Sequence, residues 1–281
     1  MATNPDAQPP RVDPRAIVSP DAVLADGVEI GPFAIVEPGV VIGPRCRVWA
    51  HAYLCSGTTL GADNVVHIGA VIGHEPQDRS YQGAPTRLEI GDRNVIREGC
   101  QLHRGTAPGS ATVIGNDCYL MSNAHVAHNC RVEDGVIMAT GATLGGHVSV
   151  GERAFLSGNV LVHQHTRVGR LAMLQGGTAV SQDVPPFCVT RLGTNVLAGT
   201  INVLGLRRAG FDRARIVAIR RAFRTLFVNR PNLRAACERL VEQEDAAGGV
   251  SADVREMLDF IAAAKHGVCV LRGRAETEEA D

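Results

Sequence analysis

The sequence predicts an all-β, left-handed parallel β-helix of hexapeptide repeats followed by a C-terminal α-helical domain. Three observations carry this: an aliphatic residue on every sixth position, a glycine that recurs just after it, and 4% aromatic residues beside 45% hydrophobic. A period of six is neither the 3.6 of an α-helix nor the bare 2 of a long strand. It fits a short strand plus a corner, three such units closing one triangular coil around a narrow aliphatic core.

The anchors run Val18, Leu24, Ile30, Val36, Ile42, Val48, Leu54, Leu60, Val66 and Ile72. They resume at Ile90, Ile96 and Leu102, and again at Ile114 through Val180. The following glycine (Gly31, Gly43, Gly61, Gly91, Gly115, Gly145) is expected to accommodate the corner. Cys46 takes a repeat position otherwise filled by Ala or Val, and is read as a small buried apolar residue. Residues 73–89 and 103–113 lack anchors and are rich in polar residues, Pro and Gly, so both read as loops thrown out from the coil. The period fades after Pro185-Pro186. Asp212 is placed to cap a helix to about Phe227, with further helices over Leu233–Glu244 and Ser251–Ala264. The resulting division is a flexible 1–13, a β-helix over 14–200, a helical domain over 201–268 that caps one end, and an acidic tail over 269–281. The flat faces of such a prism favour a trimer.

A net charge of −1 argues against a nucleic-acid partner, although Arg207, Arg208, Arg213, Arg220, Arg221 and Arg224 gather in one stretch suited to an acidic surface. The eight cysteines stand singly, without a C-x-x-C pair, which argues against a zinc knuckle or a disulfide framework. No stretch reaches the length of a membrane span and the start has no signal-peptide pattern. The expectation is a soluble, cytoplasmic protein without stable membrane insertion.

Beyond Ile114, positions compare by their remainder on division by 18. That places His125, His128, His147, His163 and His165 along one edge on successive coils. Such an edge suits zinc held by imidazoles, or one imidazole acting as general base while others grip a polar substrate.

The strings MSNAHVAHNC (121–130), ATLGGHVSVG (142–151), SQDVPPF (181–187), PQDRSYQGAPTRLEIGDRNVIREGCQLHRGT (76–106) and GLRRAGF (205–211) closely resemble the UDP-N-acetylglucosamine O-acyltransferases of lipid A biosynthesis. The resemblance runs from about residue 14 to the last helices. It implies transfer of a 3-hydroxyacyl group from acyl carrier protein to the sugar 3-hydroxyl by a homotrimer with sites between subunits. It implies no metal and no cofactor beyond the carrier's phosphopantetheine thioester. It also assigns roles: His128 as general base and the Gly146 N–H as oxyanion donor. His103, His125, His147, His163, Gln164 and Asp78 are assigned to the substrate, and Arg207 or Arg208 to the diphosphate. The acyl groove would be floored near Gly176, where a glycine leaves room for a long chain, unless a bulky neighbour such as Met173 refills it.

Ser80 departs from the pattern, standing where the family places a lysine two residues after the PQD aspartate. Acyl transfer with altered substrate binding is the expectation. The alternatives are a diverged paralogue with another acceptor sugar or a non-catalytic scaffold. The related N-acyltransferases carry an additional N-terminal uridine-binding domain, and the repeats here begin near residue 16, which weighs against that reading.

Overall fold

The structure is a computed structural model and describes residues 8–228, 232–246 and 248–271. Among these residues the strands, mostly two residues long, sort into three sheets of eleven, nine and eight. Up to Ala179–Val180 each strand pairs in parallel with the third one along the chain, so three strands and three corners close one coil of a parallel β-helix. The anchors stack inward: from Ile30 to Val180 those in the repeats are essentially buried, whereas Val18 and Leu24 on the opening coil are only partly covered. Each covered aliphatic chain contributes roughly 1.5–3 kcal/mol, and the stack repeats that gain coil after coil.

Pairing partners lie 18 residues apart in regular coils (Glu29 with Arg47), 30 apart across the first excursion (Val65 with Val95) and 24 across the second (Val95 with Tyr119). The excursions thus insert whole multiples of six, which is why the anchor phase survives them. Both leave from the corner between the nine- and eight-stranded sheets, after Ile72 and Leu102.

The anchor glycines are required for a different reason from the one expected. Left-handed backbone at the corners falls mainly on other residues, among them Asp63, Asn129, His147 and His165 at φ near 60°. The anchor glycines let coils stack closely: a Cβ on Gly151 would lie 2.6 Å from the Arg170 backbone nitrogen, and one on Gly145 2.7 Å from that of Gln164. Cys46 is buried as expected.

The ends depart from the expected boundaries. Arg11–Val12, inside the stretch expected to be flexible, pairs with Glu29–Ile30. Cys188–Thr190 and Leu197–Ile201 form an antiparallel pair that ends the eleven-stranded sheet. Among the described residues four helices follow: α1 Val203–Arg208, α2 Arg213–Phe223, α3 Leu233–Ala246 and α4 Ala252–Ala262. Helix α1 was not foreseen. Asp212 caps α2, accepting from the Arg215 N–H at 2.8 Å, but regular α-geometry stops at Phe223 and a π-turn, Arg224–Val228, follows. Val268 and Val270 return to bridge Asp183 and Val196, and Cys269 is buried, so the first residues of the expected acidic tail belong to the packed body. Glu276, Glu278, Glu279 and Asp281, like residues 1–7, lie outside the described residues. Among the described residues no helix is long and apolar enough to cross a membrane.

Candidate active site

The corner that launches both excursions also carries His128, His147, His163 and His165 on successive coils. The first excursion folds back over it and brings an Asp78 carboxylate oxygen to 3.8 Å from His128 Nε2. Ser80 donates from both its backbone N–H and its hydroxyl to the other Asp78 oxygen, each at 2.9 Å. Those two bonds hold the Asp78 pKa below the usual carboxylate range. Arg104 secures the excursion, donating to Gly73 O, to Glu75 and to the Tyr81 hydroxyl.

The His128 ring is oriented by a residue that the histidine pattern did not single out. Asn129 Oδ1 accepts from the Thr106 N–H at 3.0 Å, which identifies that atom as the amide oxygen. His128 Nδ1 lies 3.0 Å from the same oxygen and must therefore donate to it. In the neutral ring the proton sits on Nδ1 and the Nε2 lone pair faces the Asp78 side. Asn129 is itself held by a bond from its N–H to Thr112 Oγ1. The signal available in the sequence was a corner asparagine beside the candidate base.

Gly146 lies against this ring. A Cβ there would sit 2.6 Å from His128 Cε1 and Nε2, so no side chain fits while the imidazole keeps its place. Its carbonyl accepts from the His165 N–H. Among the described residues its own N–H has no acceptor.

His125 is corrected by the structure: it lies in a strand of the nine-stranded sheet, off the shared corner, with its ring centroid 5.1 Å from that of His103. It sits on the right coil, but on the strand that runs into the corner and not at the corner itself. Burial, and then the neighbouring His103, push its pKa from the ordinary 6.5 down to about 4. His103 is almost fully buried and likewise depressed, chiefly by desolvation. Its Nδ1 bonds Glu75 O at 2.7 Å, leaving a buried Nε2 acceptor with no partner among the described residues. The His147 pKa is lowered by desolvation against its neighbours and then by the charges of His128 and His165.

A groove of about 460 Å³ leads from this corner along the nine-stranded sheet, over Thr143, Leu161 and Ala179, with His163, Gln164 and Gly146 at one side. Leu161 lies largely open to it. Gly176 does not line the groove; it occupies a turn at the opposite edge of that sheet. Arg207 and Arg208 stand apart from the histidines within one chain. Arg208 borders a second groove of about 470 Å³ beneath α1, floored by Ile137, Phe155 and Met173 of the eleven-stranded sheet. Among the described residues no group of three or more His, Cys, Asp or Glu is arranged to hold a metal ion.

Residues 183–269 match the family described as UDP N-acetylglucosamine O-acyltransferase, domain 2. Residues 21–56 and 111–146 match the bacterial transferase hexapeptide repeats. The chain is 44% identical over 255 residues to the acyl-[acyl-carrier-protein]–UDP-N-acetylglucosamine O-acyltransferase of Stenotrophomonas maltophilia, covering 90% of this chain and 95% of that one. It is 43% identical over 259 residues to the enzyme of that name from Halorhodospira halophila, covering 92% and 98%. Among solved structures it is similar to the UDP-N-acetylglucosamine acyltransferases of Bacteroides fragilis (TM-score 0.85, 36% identity, 91% and 98% covered) and Francisella novicida (0.86, 31%, 94% and 95%).

Proposed function

The chain belongs to the UDP-N-acetylglucosamine O-acyltransferase family, and on that premise we propose that it moves a 3-hydroxyacyl group from acyl carrier protein to the 3-hydroxyl of UDP-N-acetylglucosamine, the first step of lipid A biosynthesis. The single observation that carries the mechanism is the His128 ring, whose Nδ1 is tied to Asn129 and whose Nε2 faces Asp78. An alcohol is a poor nucleophile at neutral pH and needs a base within reach. Nε2 takes the hydroxyl proton as the oxygen bonds to the thioester carbon. The tetrahedral oxyanion is met by the Gly146 N–H, which has no acceptor among the described residues. Collapse breaks the C–S bond, and the same nitrogen returns the proton to the leaving thiolate.

Asp78 accepts from sugar hydroxyls, and the orphan His103 Nε2 suits another substrate donor. His125, His147, His163 and Gln164 line the approach. The open apolar groove along Leu161 suits an acyl chain. Arg207 and Arg208 supply the bidentate geometry that diphosphate favours. Because they sit over a different sheet from the histidines, the assembly we propose is a homotrimer in which one subunit's α1 faces its neighbour's histidine corner. Arg213 and Arg220, exposed on α2, then offer the acidic carrier protein a docking surface, and the enzyme works in the cytoplasm.

Ser80 favours one second reading, a diverged acceptor sugar, because the serine closes on Asp78 and brings no positive charge to the acceptor site. The intact His128–Asn129 pair speaks against a scaffold without catalysis.

His128→Ala tests the mechanism. Transfer is expected to fall at least a hundredfold, the scale of general-base loss, with an unchanged melting temperature. Wild-type turnover in that variant would overturn the assignment.

A further inference from the structure

We propose that His165 is a positioning residue that holds the His147 imidazole against the acceptor site; this rests on the reading of His147 as a substrate group. His165 is the one histidine of the corner to which the mechanism gives no work. It follows His147 by one coil, and both have left-handed backbone, φ 60° and 63°, so their side chains leave the corner in the same direction. Their rings stack with centroids 4.7 Å apart and planes 14° from parallel. On its other side His147 meets His128 edge-on, at 5.2 Å and 89°. The three imidazoles form one column with the base at its head.

His147 needs such support. It is exposed, and among the described residues no side-chain hydrogen bond fixes its ring. An exposed corner histidine is otherwise free to rotate about χ1, and each substrate encounter would have to order it. The stack on His165 supplies that order beforehand. The contribution comes from the ring alone, because the backbone bond from the His165 N–H to Gly146 O, 2.9 Å, persists whatever the side chain. A flat ring of any polarity serves the purpose.

The test is steady-state kinetics on the full chain with UDP-N-acetylglucosamine and 3-hydroxyacyl carrier protein, using His165→Ala, His165→Phe, His147→Ala and the His147→Ala/His165→Ala double variant. His165→Ala should raise KM for the sugar nucleotide about two- to tenfold, the scale of one aromatic pair, with kcat and the carrier-protein KM unchanged. His165→Phe should restore the wild-type KM, and the double variant should be no worse than His147→Ala. An unchanged KM in His165→Ala, a failure of Phe to rescue, or additive losses in the double variant would each overturn the proposal. If His147→Ala were silent while His128→Ala still abolished transfer, the role given to His147 would fall and the positioning role with it, leaving the base assignment intact.

Discussion

At the residue scale, the candidate site gathers histidines whose surroundings differ sharply within a few ångströms. His125 is kept neutral by burial, and in the unfolded chain it would bind a proton at its ordinary 6.5. Between that value and about 4 the unfolded state therefore holds more protons, so stability falls as pH drops through this window and the loss levels off below it. His125→Gln removes this component. The wild-type urea midpoint should fall relative to the variant's between pH 7.5 and pH 4.5; a constant gap would contradict the buried, neutral state. The residues that the sequence left unremarked are those acting through neighbours. Asn129 reads as an ordinary corner residue until its oxygen is seen between Thr106 and His128. Arg104 reads as a loop charge until its bonds to Gly73 and Tyr81 are seen.

At the element scale, the joint between coil and helices rests on a buried carboxylate. Asp183 accepts from the Arg167 backbone N–H at 2.7 Å and from its guanidinium, while Arg167 also donates to Phe260 O and lies 4.3 Å over the Phe260 ring. Removing the acceptor strands a charge and an N–H in a partly buried seam. Asp183→Ala should cost about 3 kcal/mol in chemical denaturation, the usual scale for one partner of a buried ion pair; a loss below about 1 kcal/mol would show that the seam is held by apolar contacts instead. The β-helix was legible because a six-residue beat is dictated by one inward anchor per strand, and the two excursions hid nothing of its phase, being multiples of that beat. Helix α1 was not legible: its six residues are too few for a periodic face, and it is fixed by Asn202, which caps the Gly205 N–H and reaches the Leu171 carbonyl. The anchor glycines were visible, but their cause was not, since close approach between coils is a property of residues 18 or more apart.

At the scale of the whole molecule, the triangular section sets where chemistry gathers. One corner receives both inserted segments and four histidines, while a neighbouring sheet carries α1 and its arginines. A single chain keeps those two surfaces apart, and the homotrimer proposed above would bring them together. The shared corner of His128, His147, His163 and His165 was legible in their spacing, but the enclosure was not, because the sequence cannot show that the segments at 73–86 and 103–110 overhang the same edge. Ser80 stands where the resemblance implies a lysine, and the proposed mechanism needs none there, because Asp78 is held beside His128 by the serine itself. The direct measurement is acyl transfer to UDP-N-acetylglucosamine from carrier proteins loaded with 3-hydroxyacyl chains of several lengths, with wild type and Ser80→Lys side by side. Robust transfer by wild type, not improved by the lysine, is the result predicted. Absence of transfer by wild type, with or without gain in Ser80→Lys, would contradict it.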